Sequence, residues 1–268
     1  MIPRGEDDAV AASESLHPGF LPYRRLRDEL LGLPCAQWVA RCNRLASGRD
    51  LRSSSGAPIH FVVDDGRAGA LGYEAAILSE GRIACRPDAR GALHDLHNAL
   101  TWLTFPLVKA TLNRLHLARP DRGAGGRGPI RDAVTLLDEN GLLWLSDSVE
   151  LNQQLLAKDW QALLVCNRDR VRREVTPVII GHGLLEKLAR PYKAMTAHCL
   201  VCGTGGAGAL PQEPAAIDAA VAAAIAAGFA SAAPPTLAPL PILGLPAWDH
   251  ANTDPSYYDD ARVFRVQR

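Results

Sequence analysis

Three histidines, one aspartate and two asparagines interrupt an otherwise apolar run, "LHDLHNALTWLTFPLVKATLNRLHL" (Leu93–Leu117). On a helix each residue advances about 100°, so His94 and Asp95 share a side with Asn98, and Trp102 extends that stripe. Lys109, Asn113 and His116 form a second stripe at the same spacing. An imidazole beside a carboxylate suits a divalent metal ion or a positioned water, and His116 could serve as general base or as a supporting partner. The competing reading is structural: His94 or Asp95 caps a helix and Asn98 ties down a buried loop.

Two further stretches carry candidates. "HGLLEK" sets His182 and Glu186 one turn apart, a ligand or general-base pair, although Gly183 and Glu186 depart from H-E-x-x-H. In "RDAVTLLDE", Asp132 stands beside Arg131 at an expected strand start, whereas Asp138 and Glu139 fall at an expected turn and read as solvated. The candidate catalytic set is therefore His94, Asp95, Asn98, His116, Asp132, His182 and Glu186, with His94, Asp95 and His182 as metal ligands. "CLVC" (Cys199–Cys202) would need His94 and His97 to complete a zinc site, and one C-x-x-C outside a βαβ context does not specify zinc. The glycine-rich "RPDRGAGGRGP" lacks the Lys-Ser/Thr ending of a phosphate loop, and neither G-x-S-x-G nor a strand followed by G-x-G-x-x-G occurs.

Positioning those groups requires a scaffold that the spacing outlines. "YRRLRDELLGL" and "CAQWVARCNRLA" read as two short amphipathic helices separated near Gly32–Pro34. "IHFVVDD" (Ile59–Asp65) reads as a strand, and Tyr73–Pro87 as strand, turn around Ser79–Gly81, strand. Pro106 marks the first turn of a second helix, because inside a helix it would cost about 3 kcal/mol. "AVTLLDENGLLWL" (Ala133–Leu145) reads as a hairpin turning at Glu-Asn-Gly, and Ser146–Leu164 as a helix capped by Ser or Asp. Val175–Pro191 runs from an apolar segment into a helix, and Ala215–Ala233 is an Ala-rich helix. The C-terminal "LAPLPILGLPAWDHANTDPSYYDDARVFR" should wrap the body in extended form, pinned by Trp248, Tyr257, Tyr258 and Phe264. The expected class is α+β: one mainly helical domain (19–268) with short antiparallel hairpins, flexible loops near 119–129 and 203–214, and a loose tail over 1–18.

Composition narrows the functions. The chain has 268 residues, with 29 Lys plus Arg against 29 Asp plus Glu. No global field draws nucleic acid or an anionic membrane. The N-terminus lacks a secretory pattern, the Ala-rich run is too weakly apolar to span a bilayer, and six irregularly spaced cysteines read as reduced thiols, so the expected compartment is the cytoplasm.

The ordered motifs "HDLHNALTWLTFPLVKATLNRLH", "RDAVTLLDENG", "GHGLLEK" and the Pro-rich C-terminal segment resemble a bacterial domain-of-unknown-function family, numbered three thousand and twenty-five. The resemblance spans nearly the whole chain beyond the tail. It implies a single bacterial domain and brings no established activity, cofactor or catalytic residues. His94, Asp95, Asn98, Trp102, Phe105, Pro106, Lys109, Asn113, Asp132, His182 and Glu186 match the family pattern; His97 stands where an aromatic is usual, and the C-x-x-C lies outside it. A hairpin followed by a His/Asn helix is also the outline of ββα-metal nucleases, but Ala75–Leu78 offers no general-base histidine. Two readings follow: a metal-dependent hydrolase acting on a small-molecule substrate such as a phosphoester, or a non-catalytic binding or scaffold protein whose polar residues only cap helices and anchor the tail.

Overall fold

The computed structural model describes residues 16–64, 72–118, 128–203, 213–231 and 233–266. The expected tail up to Ser15 and most of the two expected glycine-rich loops lie outside the described residues. The described residues are 58% helical and 13% strand, a mixed α+β domain as expected. Its core is one continuous cluster that runs from Phe20 to Phe264.

The first two helices form where the spacing puts them, α1 over Arg24–Leu30 and α2 over Cys35–Gly48. Strand β1 (His60–Val63) follows, but the expected hairpin after it does not. Tyr73–Glu80 is a helix, α3, which buries Ala76 and Ile77. Gly81, read as a hairpin turn, ends α3 in the left-handed region at φ 72°. A Cβ there would also lie 2.0 Å from the Pro58 carbonyl oxygen, so only glycine fits. Strand β2 (Arg82–Cys85) then pairs parallel with β1, making a small β-α-β unit. With a helix in place of its first strand, the ββα nuclease outline is absent from this segment.

Helix α4 (Ala89–Thr104) starts at Asp88, whose carboxylate accepts the Gly91 amide at 2.9 Å. It stops at Phe105, and α5 (Pro106–Leu117) begins with Pro106 in its first turn, as the proline required. The α5 amides of Leu107 and Val108 are satisfied from a distance: Asp218 accepts both, at 2.9 and 2.8 Å. Asp218 is the residue that interrupts the Ala-rich helix, α10 (Pro214–Gly228). Its buried carboxylate therefore caps α5 and docks α10 on it.

The second expected hairpin is also a helix and a strand. Ile130, Ala133, Val134 and Leu137 repeat at helical spacing and are all buried on α6 (Pro129–Asn140). Gly141 keeps φ at −75°, so the Glu-Asn-Gly turn never forms and the chain passes straight into β3 (Gly141–Leu145). Helix α7 (Val149–Ala157) is capped by Ser148 and is shorter than expected, since Lys158 turns left-handed at φ 57°. A π-helical turn (Gln161–Cys166) leads into α8 (Arg168–Glu174) and β4 (Thr176–Ile179). Then come α9 (His182–Leu188), β5 (Thr196–Cys202) and β6 (Ala238–Pro241). The four-stranded sheet has the order β4-β3-β5-β6, with β3 parallel to β5 and the outer strands antiparallel. Pro239 and Pro241 are tolerated because β6 is an edge.

The C-terminal segment buries Trp248, Tyr257, Tyr258 and Phe264, as expected, but beyond β6 it is folded into 3₁₀ turns at Ile242–Gly244, His250–Thr253 and Pro255–Asp259 rather than extended. Arg168 holds it, donating to Asn252 Oδ1 at 2.7 Å and Tyr258 Oη at 3.0 Å. No helix among the described residues is long and apolar enough to cross a membrane.

Replacing Asp218 with Ala should remove the α5 cap and cost about 1–2 kcal/mol. A lower melting temperature in a protein that still folds is the expected result; an unchanged melt would show that water caps α5 equally well.

Candidate metal centre

Three helices meet at one point. Helix α4 brings His94, α6 brings Glu139 at its C-terminal end, and α9 brings His182 at its first residue. Two glycines make the approach possible. A Cβ on Gly181 would lie 2.3 Å from the Gly141 amide nitrogen, and one on Gly183 would lie 2.6 Å from a Glu139 carboxylate oxygen. The Ile180 and Gly181 amides both donate to the Gly141 carbonyl at 3.0 Å. The sequence Gly-His-Gly thus seats His182 directly against the end of α6.

The imidazoles of His94 and His182 meet edge to face, with ring centres 4.6 Å apart and their Nε2 atoms 3.1 Å apart. Each turns its Nδ1 toward a carboxylate: His94 to Glu186 Oε2 at 2.8 Å, His182 to Asp138 Oδ2 at 3.7 Å. A carboxylate asks for N–H on the nitrogen that faces it. With both Nδ1 atoms protonated, two Nε2 lone pairs point at each other. A positive charge between them resolves the conflict, either a shared proton or a metal ion. Two nitrogens bound about 2.0–2.1 Å from one ion stand roughly 2.9–3.4 Å apart, which matches the observed separation.

Glu139 offers a third candidate ligand, its Oε1 3.5 Å from His182 Nε2. Ligand atoms of His94, Glu139 and His182 all lie within 4.8 Å of one another, a set the described residues form nowhere else. The His182 imidazole, whose Nε2 lies 3.5 Å away, and the His94 imidazole beside it hold the Glu139 carboxyl below its usual range against the opposing effect of burial. For Asp138, burial pushes the carboxyl up, but the charges of Lys109 and His182 outweigh it and bring it down to about 2. Lys109 pairs with Asp138 and is itself buried.

The centre lies in a cleft of about 720 Å³, counted to its open mouth, whose walls include Asp64, Tyr73, Glu74 and Arg86 besides the histidines. The expected residues divide. His94 and His182 come together, and Glu186 stands behind His94. Asp95 lines the cleft but is committed to Arg86, accepting its backbone amide at 2.6 Å and its guanidinium at 3.0 and 2.8 Å. Asn98 also lines the cleft and donates to Tyr73 Oη at 2.9 Å. His116 faces an adjoining basin that shares Tyr73, Glu74, Asp138 and Glu139 with the cleft. Asp132 is exposed in the first turn of α6, not at a strand start. Asp138 and Glu139, expected at a solvated turn, sit in the centre because the turn is a helix end. Reading Ala133–Asn140 by its helical spacing would have put both carboxylates on one helix end and made Glu139 a candidate.

Cys199 and Cys202 are buried in the sheet, where burial pushes both thiols up and Cys202 to about 11. His94 is engaged with His182 and Glu186, and His97 with the Leu93 carbonyl at 2.8 Å. The hypothetical Cys₂His₂ site therefore does not assemble.

Residues 59–268 match the model of a family described as "Protein of unknown function (DUF3025)", a span that contains every residue of the centre. No curated protein and no solved structure matches the chain.

The two glycines give different outcomes when replaced. Gly181→Ala forces backbone against backbone and should cost about 3 kcal/mol or more, whereas Gly183→Ala mainly displaces the Glu139 side chain and should cost about 1 kcal/mol. Melting curves that reverse this order would contradict the packing described.

Proposed function

We propose that this chain, which belongs to the DUF3025 family, is a metal-dependent hydrolase whose single divalent ion is held by His94, His182 and Glu139. The observation that carries the reading is the facing pair of Nε2 atoms, 3.1 Å apart, each imidazole being turned to a carboxylate on its far side. Two neutral imidazoles and one carboxylate leave coordination positions open, and an ion so held polarises a water or a substrate oxygen.

The chain's own residues complete the arrangement. Glu186 fixes the ring of His94 from behind. Arg86 uses Nε and one terminal nitrogen on Asp95, which leaves N–H donors at the cleft wall for a phosphoryl oxygen. Phosphoesters are accordingly the substrate class we assign. We place His116 in the adjoining basin, on the leaving-group side, and give Asp132 no part at the ion. The compartment we assign is the cytoplasm, supported by six cysteines that are all free thiols.

A second reading has its own support. Asp95 is paired with Arg86, and the Nδ2 groups of Asn98 and Asn113 donate to Tyr73 and Glu74. That pattern suits a binding protein in which the ion is structural.

Metal content, calorimetric affinity and melting with and without chelator decide the first point. Wild type and Asp132→Ala should bind one zinc or manganese ion and melt higher with it. His94→Ala, His182→Ala and Glu139→Ala should each lose more than the roughly 10- to 100-fold that removal of an outer partner costs. Hydrolysis of bis(p-nitrophenyl) phosphate by wild type alone supports the hydrolase. Failure to bind any divalent ion sinks the metal reading. An ion that stabilises the fold without turnover of any phosphoester leaves the binding protein.

A further inference from the structure

We propose that Lys109 is a positioning residue for the metal centre: acting through Asp138, it fixes the His182 ring so that Nδ1 carries the proton and the Nε2 lone pair faces the ion. The proposal rests on the metal reading above and extends it to a residue that touches neither ion nor ligand.

The connection is a chain of three side chains from three helices. Lys109 on α5 donates from Nζ to Asp138 Oδ1, and the other oxygen of the same carboxylate, Oδ2, lies 3.7 Å from His182 Nδ1. One carboxylate thus divides its two oxygens between an ammonium and an imidazole. His182 Nδ1 is buried and makes no hydrogen bond, and Asp138 Oδ2 is the acceptor that faces it. On the other side Nε2 faces Glu139 Oε1 at 3.5 Å, so it is the ion between these two that leaves Nδ1 the protonated nitrogen. That tautomer then meets an acceptor at Asp138, whereas the other would aim a lone pair at an anion and close Nε2 to the ion.

The burial of Lys109 calls for a reason. Its side chain is 4% exposed, and the Trp102 ring lies 5.9 Å from Nζ on another side. Placing an ammonium at such depth is costly, and a well-packed apolar residue of similar volume is often as stable or more so. The other histidine of the centre makes the contrast. Glu186, which orients His94, has a side chain 35% exposed against 17% for Asp138. Glu186 is open to solvent; Asp138, set deeper, has Lys109. The depth of the lysine follows the depth of the carboxylate that must be aimed.

A tie between α5 and α6 alone would explain the ion pair but would not affect His182. The experiment therefore reads the ring. Wild type, Lys109→Met, Lys109→Arg and Asp138→Asn are compared by zinc calorimetry, by long-range proton–nitrogen NMR of the His182 tautomer, and by thermal melting. The expected result is an Nδ1–H tautomer in wild type, its loss in Lys109→Met and Asp138→Asn, and a fall in zinc affinity of roughly 10- to 100-fold that Lys109→Arg largely restores. A lower melt for Lys109→Met with zinc affinity within about twofold of wild type and an unchanged tautomer would overturn the proposal and leave Lys109 a structural tie. If Lys109→Met does not fold, Lys109→Gln, which keeps a polar head without the charge, carries the same comparison with Asp138→Asn. If wild type binds no zinc, the metal reading falls and this proposal with it; if wild type binds zinc but carries Nε2–H, or an Nδ1–H that depends on neither Asp138 nor Lys109, this proposal alone is overturned.

Discussion

The contact on which the centre depends is the approach of Gly181–Gly183 to Glu139–Gly141. A side chain at Gly181 would overlap the backbone of Gly141, so the two segments can touch only because that position has no Cβ. Two amide bonds to the Gly141 carbonyl then lock the approach. This one contact sets the start of α9 against the end of α6. It also joins β3 to β4, since β3 begins and the antiparallel β4 ends at that point. Fold and site share the constraint: the sheet register that buries Leu142 and Leu143 is the register that sets His182 beside Glu139.

Around that contact the buried charges are arranged in satisfied units. Asp95 is held by Arg86, Asp138 by Lys109, and Asp218 by two helix amides. Each unit ties separate elements: β2 to α4, α5 to α6, and α10 to α5. An unpaired charge at such depth would cost several kcal/mol, so pairing is a condition for building a polar cleft inside an otherwise apolar core. The pair of imidazoles is the exception. Its outer nitrogens face anions, and its inner nitrogens face each other.

Much of the fold could be read along the chain, and the failures share a cause. Helix α1, helix α2, the break at Pro106 and the aromatic anchors of the C-terminal segment follow from spacing and breakers. Tyr73–Glu80 and Pro129–Asn140 did not, because short apolar runs such as "AAIL" and "AVTLL" suit a strand or a helix alike. Gly81 and Gly141 then looked like hairpin turns. One is a left-handed helix cap; the other is the passage from helix to strand. His94 and His182 were found because imidazoles inside helical stripes are visible locally. Glu139 was missed because its place depends on the misread helix end. The pairing of Asp95 with Arg86 depends on the position of β2 beside α4, which no local pattern reports.

The distance between the ligands along the chain has an energetic consequence. His94, Glu139 and His182 lie on helices separated along the chain by α5, by the strands β3 and β4, and by α7, the π turn and α8, so an ion held by all three can bind only the folded chain. Binding confined to the native state stabilises it by RT ln(1 + [L]/Kd), about 2.7 kcal/mol at a ligand concentration 100 times Kd. The same linkage runs backwards. Any change that loosens α9 from α6 must weaken the ion, even when no ligand is touched, because part of the binding energy is spent on closing that contact. A shared proton between the two Nε2 atoms would relieve their repulsion without recruiting Glu139, and would link α4 to α9 while leaving α6 out. The metal reading therefore requires coupling among all three helices, whereas the proton requires coupling between two; the position of Glu139, within reach of both imidazoles, is what favours the three-way tie.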